Sequence, residues 1–191
     1  MTPQKLQDAL RKELEEEFQK YLFQNCKGEK VPINVFGQFL PKRNDKEYAR
    51  EDGKAEEDLS MLFPQEEMPE EYRGYYPFIQ VILFEQISDL DSATQHVSFF
   101  IGIHDDNCNN EGTREILNII EIIRQRFFQN RTVGRSFFVA PNTKFIGLPE
   151  DNDTYPYFHG TVDMYFNFCP ARKKEDFQYD IKKTRASAEL C

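Results

Sequence analysis

The sequence predicts an α+β fold, with a mostly antiparallel mixed sheet on which an N-terminal helix and a central Ile-rich helix pack. Two segments repeat apolar residues with a helical period, and three others alternate with the two-residue period of strands. At 191 residues the chain fits one domain. We place this domain at 1–170, with a charged insertion at 41–74 and a polar tail at 171–191.

Each helix has a start signal and an apolar stripe. The first is predicted over Pro3 to Gln24, since Thr2 can cap it and proline is favoured at the first helical position. The second is predicted from Thr113 to about Gln129. The stripes consist of Leu6, Leu10, Leu14, Phe18 and Leu22 in the first helix, and Ile116, Ile119, Ile120, Ile123 and Phe127 in the second.

Strand patterns follow the first helix. Val31–Phe36 predicts a strand at a sheet edge, because Pro32 lacks the N–H that a central strand needs. Residues 77–84 and 96–104 predict an antiparallel hairpin around a polar turn. Gly102 within the second of these runs indicates the close approach of an aromatic ring or of the central helix.

The last part of the chain predicts three more strands. Two are short, at 135–140 and 144–148, and are joined at Pro141-Asn142. The last, Gly160–Phe168, alternates and stops before Pro170. Its even-numbered apolar residues, from Val162 onward, are expected on one face.

Composition limits the classes of function. The chain has 24 Lys+Arg against 33 Asp+Glu, a net charge of −9, which argues against a general nucleic-acid binder. No apolar run approaches the ~18 residues of a membrane span, and no signal peptide is expected. The four cysteines are widely spaced without a CxxC pair, which argues against a zinc site and a disulfide framework and favours a reducing cytoplasm.

His104-Asp105-Asp106 could supply metal ligands where a strand turns toward a helix. A calcium-loop pattern starting at Asp105 would require Gly at 110 and Glu at 116, and these positions hold Asn110 and Ile116. We therefore favour a turn and helix cap over a divalent-ion site.

Asp151, Asp153 and His159 form a second polar group. The two aspartates lie in a turn where their side chains bond the local backbone, and His159 is interpreted as a hydrogen-bonded structural residue. No nucleophile elbow, zinc-protease, P-loop or dinucleotide motif occurs. We expect no enzyme activity, no catalytic or metal residues and no cofactor.

Three segments carry a family resemblance: "YYPFIQVILFEQ", "VSFFIGIHDDNCNNEGTREILNIIEIIRQRFFQN" and "LPEDNDTYPYFHGTVDMYFNF". Together they resemble the tail-terminator, or tail-completion, proteins of long-tailed bacteriophages and prophages. The likeness covers residues 3–38 and 75–169, and its motifs are structural rather than catalytic. It does not include the charged insertion or the tail.

The resemblance implies a homo-oligomeric ring, commonly a hexamer, that caps the tail tube and joins it to the head connector. Its partners would be further copies of itself, the tail tube protein and the neck protein, with no membrane contact. DNA would pass through its lumen without specific binding. The protein would be assembled in the bacterial cytoplasm and located in the virion.

Loops at 41–74, 88–94 and 130–135 are candidate ring contacts. One alternative is another head–tail joining or minor tail protein. A different class is a small metal-dependent hydrolase using His104, Asp105 and Asp106 together with His159.

Overall fold

The computed structural model describes residues 2–40, 74–88, 92–107, 111–141, 143–149 and 155–169. In this part of the chain the helices are α1 (Pro3–Phe18) and α2 (Glu111–Gln129). The strands are β1 (Phe23–Gln24), β2 (Lys30–Val31), β3 (Asn34–Phe36), β4 (Phe78–Ser88), β5 (Ala93–His104), β6 (Thr132–Val133), β7 (Phe137–Val139), β8 (Ile146–Pro149) and β9 (Tyr157–Phe168). The predicted α+β class is confirmed, with a curled, mostly antiparallel sheet.

The large sheet has the strand order β3-β4-β5-β9-β7-β6, and β8 also pairs with β9. Only its β3–β4 pair is parallel. The longest ladder joins β5 to β9, from Ala93 opposite Phe168 to His104 opposite Tyr157. On its other side β9 pairs first with β8 and then with β7, so β9 is the central strand around which the sheet is built.

Register assigns every side chain of the long strands to one of two faces, because residues directly opposite each other share a face. We call the face under the helices the inner face. It carries fully buried apolar side chains from the three long strands. These are Ile79 and Val81 of β4, Val97, Phe99 and Ile101 of β5, and Val162, Met164 and Phe166 of β9.

The first helix begins as predicted and ends earlier than predicted. Thr2 accepts a hydrogen bond from the Lys5 amide, and Pro3 occupies the first turn. The helix ends at Phe18 rather than Gln24, because residues 23–24 pair with residues 30–31 in a small hairpin. Asn25 stabilises the turn of that hairpin by accepting hydrogen bonds from two backbone amides. Leu22, predicted as the end of the stripe, is exposed.

The second helix packs closely on the sheet. It starts at Glu111, two residues before the predicted Thr113. Gly160 permits the close contact, since a Cβ built there would lie 2.5 Å from Ile116 Cγ2 of α2. The two helices are joined by an ion pair between Glu13 and Arg126.

Several strand boundaries also differ from the predictions. Pro32 splits the predicted 31–36 strand into β2 and β3, and β3 is an edge strand as expected. Residues 85–88 and 93–95 extend the hairpin beyond the predicted strands. Strand β6 was not predicted, because two residues are too few to show a period. These additions depend on pairing with distant strands, which a local pattern does not encode.

Some predictions fall on residues outside those described. They concern the charged insertion up to residue 73, the Asp151 and Asp153 turn, and the tail at 171–191.

Gly102 provides a test of close packing. A Cβ at this position would lie 2.5 Å from Phe78 Cε1 and 2.9 Å from Tyr76 Cε1, so the predicted approach of an aromatic ring is confirmed. We expect Gly102→Ala to lower the free energy of unfolding by about 1–3 kcal/mol, because buried rings must shift. Urea denaturation measures this loss.

Gly74→Ala is the matched control, since nothing lies within 4 Å of a Cβ at Gly74. If the Gly102 variant and the wild type had the same free energy of unfolding, the rings would move aside without loss of stability, which would contradict the prediction.

Candidate functional site

The outer face, opposite the helices, is the most exposed apolar surface on the described sheet. Both described helices pack their apolar stripes into the core on the inner face. Five large hydrophobic side chains on the outer face are exposed: Phe84, Ile87, Phe138, Ile146 and Leu148. Apolar side chains grouped on one side of a soluble protein indicate a contact surface.

The predicted ligand group at 104–106 lies where β5 ends. His104 is buried, and its Nε2 lies 3.1 Å from Asp106 Oδ1. The buried Asp105 accepts hydrogen bonds from the backbone and side-chain amides of Asn107, as an Asx turn does. His104 Nδ1 is buried and has no hydrogen-bond partner among the described residues. The expected turn is therefore present, and the neighbouring His104 Nδ1 is its one buried side-chain nitrogen without a hydrogen-bond partner among the described residues.

His159 lies on the neighbouring strand, where it pairs with Gly102. Its Nε2 and the Tyr76 hydroxyl form a 2.7 Å hydrogen bond in the protein interior. Phe100 stacks on the imidazole with the ring centroids 5.4 Å apart. Burial lowers the pKa of His159 to about 4, so the ring is neutral near pH 7. The prediction of a hydrogen-bonded histidine is confirmed.

Aromatic rings close this end of the outer face. Tyr76 lies between Phe78 and Tyr157, with its centroid 5.0 Å from each of theirs. Tyr157 also lies 5.3 Å from the His104 ring. Aromatic rings therefore lie against both His104 and His159.

No metal centre is evident in the ranges that the structure covers. There, no three His, Cys, Asp or Glu side chains are grouped so that they could hold an ion. His159 is bonded to Tyr76, and Asp105 is turned toward Asn107. The residues of the hydrolase hypothesis thus lie near one another but do not point at a common centre.

Carboxylates gather near the start of α2. Burial first, and then the negative charges of Asp105 and Glu111, raise the pKa of Glu115, while Lys30 lowers it. Neighbouring negative charges repel one another, so the nearby carboxylates disfavour the ionised form of Glu115.

The hollows on the described surface include one between the helices and one on the outer face. One, of about 420 Å³, lies between the C-terminal parts of the two helices, and the charged groups at its wall are already paired, Lys20 with Glu17 and Arg126 with Glu13. The other, of about 270 Å³, lies on the outer face beside Thr94, Thr143 and Tyr165.

Sequence reasoning missed one polar feature of the outer face. His96 is stacked between Phe84 and Tyr165, and its ring nitrogens face Glu85 and Asp163. The alternation of β5 indicates only that His96 faces away from the core. Its neighbours come from two other strands, so no spacing in the sequence could have identified them.

The buried His159 gives a pH prediction. Its folded pKa of about 4 lies below the ordinary value of 6.5, so between these values the unfolded chain binds a proton that the folded protein does not. His159 should therefore lower the free energy of unfolding as pH falls. Its contribution makes that free energy about 2 kcal/mol smaller at pH 5 than at pH 8.

His159→Gln removes the titrating group and keeps a polar partner for Tyr76. We expect the variant to be less stable at pH 8, with a shallower loss toward pH 5, in denaturant unfolding at both values. Parallel pH dependences of the variant and the wild type would contradict the assignment.

Comparison with known proteins adds no family assignment. No protein-family model matches the chain, and no curated protein matches it. None of the helices in the described ranges is long and apolar enough to span a membrane. What the protein does must therefore be inferred from its own residues.

Proposed function

We propose that this protein is a structural component of a phage or prophage virion, a tail-terminator ring that caps the tail tube and joins it to the head connector. The observation that carries the proposal is the exposed apolar outer face of the sheet. The resemblance of the three sequence segments gives that face its role. In this role the protein acts by shape and contact, without catalysis.

A ring needs two different patches on each copy, since a heterologous contact joins one patch to another on the next subunit. The predicted contact loops are compatible with this requirement. Of the first loop, the structure describes Ser88 at the end of β4 and Ala93 at the start of β5, and loop 130–135 contains β6. Three strands, β5, β9 and β7, lie between β4 and β6 in the sheet, so Ser88 and β6 are well separated across it.

Charge is compatible with a lumen that passes DNA. The net charge of −9 would repel phosphate and keep the genome from adhering.

The outer face can be tested by a charged substitution. Phe138 is 48% exposed there, and we expect Phe138→Asp to abolish self-association or binding to isolated tail tubes, because a buried unpaired carboxylate opposes contact. Sedimentation velocity measures the first, and co-sedimentation with tail tubes measures the second.

Leu117→Asp is the matched control, because Leu117 is also 48% exposed but lies on α2. The proposal predicts that this variant assembles normally. A wild-type protein that stays monomeric at all concentrations and does not bind tubes would refute the proposed ring. Binding to head connectors without binding to tubes would instead favour the head–tail joining alternative.

The hydrolase hypothesis retains one supporting observation, the unpartnered His104 Nδ1. We expect the purified protein to contain no stoichiometric zinc or manganese, because the neighbouring carboxylates do not converge on that atom. Elemental analysis by mass spectrometry provides the measurement. One equivalent of metal that is lost in His104→Ala would overturn the structural proposal.

A further inference from the structure

Three stacked rings cross the outer face, and we call them the His96 column. Phe84 of β4 stacks on His96 of β5 with the centroids 5.1 Å apart and the planes at 27°. His96 in turn stacks on Tyr165 of β9 at 4.7 Å and 16°. The column therefore joins three adjacent strands through one imidazole.

A break in the ladder places β4 against this imidazole. The β4–β5 register shifts between Leu83 and Gln86, so β4 has one more residue than β5 at this point. The side-chain amide of Gln95 donates to the carbonyl oxygens of Phe84 and Glu85, at 2.9 and 3.2 Å. Beyond the shift, only three residue pairs hold the end of β4 to β5. We call Phe84–Ser88 the β4 arm.

Both nitrogens of the His96 ring face carboxylates. Nδ1 lies 3.1 Å from Glu85 Oε2 of the β4 arm, and Nε2 lies 3.4 Å from Asp163 Oδ1 of β9. A neutral imidazole has one N–H and one lone pair, so one of the two carboxylates would face the lone pair. An imidazolium has two N–H groups and can interact favourably with both carboxylates.

We propose that His96 is a pH-sensitive clasp: when protonated it ties the β4 arm to β9 through Glu85 and Asp163, and when deprotonated it releases one carboxylate and loosens the arm. The titratable groups facing the ring are Glu85 from β4, and Asp163 and Tyr165 from β9. The stacked Phe84 and Tyr165 rings also favour a cation between them.

The state of Glu85 agrees with this geometry. A hydrogen bond from its own backbone amide, followed by the bond with His96, lowers the pKa of Glu85 below its ordinary value. Glu85 is thus ionised at both pH 5.5 and pH 8. The clasp is expected to be closed at the lower pH and open at the higher one.

Amide hydrogen exchange of the β4 arm tests the clasp in the full-length protein. Protection factors, corrected for the intrinsic pH dependence of exchange, are compared at pH 5.5 and pH 8. We expect protection of the arm to fall severalfold at pH 8, while the centre of β5, around Phe99, keeps its protection.

His96→Phe preserves the stack and removes both nitrogens, so the arm should have the same protection at both pH values. Glu85→Gln changes an exposed side chain, so folding should tolerate it. In this variant the protection of the β4 arm should fall less between pH 5.5 and pH 8. The result for Glu85→Gln decides the test if His96→Phe does not fold. Equal protection of the wild-type arm at both values, or an undiminished fall in either variant, would overturn the proposal.

Discussion

The antiparallel ladder between β5 and β9 is the constraint on which the rest of the structure depends. It is the longest ladder in the described sheet, running from Ala93 opposite Phe168 to His104 opposite Tyr157. Side chains alternate between faces, so a slip of one residue would expose Phe99 and Phe166 and bury His96. Burial of the apolar set under two helices holds the register, and the register in turn decides what the outer face displays.

The outer face differs from one end to the other because of where the bulky and small residues lie. At one end Gly102 leaves room for the Tyr76 and Phe78 rings, and His159 is enclosed and neutral. At the other end His96 is partly exposed between two carboxylates. The two histidines on this face therefore have different surroundings, since His159 is desolvated and His96 lies beside two carboxylates.

The proposed structural role is compatible with this distribution of side chains. Asp105 is bonded to Asn107, His104 Nε2 lies beside Asp106 while its Nδ1 is unsatisfied, and His159 is bonded to Tyr76. The apolar side chains that are exposed on the outer face are spread across three strands, β4, β7 and β8, rather than gathered in a cleft. A broad apolar surface can bind another protein, whereas catalysis requires groups that converge.

Periodicity was sufficient to predict the α+β class, both helices, the long hairpin and the core face of β9, because burial imposes a period of 3.6 or 2 on the residues. The helix cap at Thr2 and the close approach of an aromatic ring at Gly102 could also be predicted from the sequence, since each depends on the type of a single residue. The sequence could not predict that α1 ends at Phe18, that the two-residue β6 forms, or that the His96 column exists. Each depends on residues that are distant in the chain and adjacent only after folding, so pairing across strands, rather than local preference, decided them.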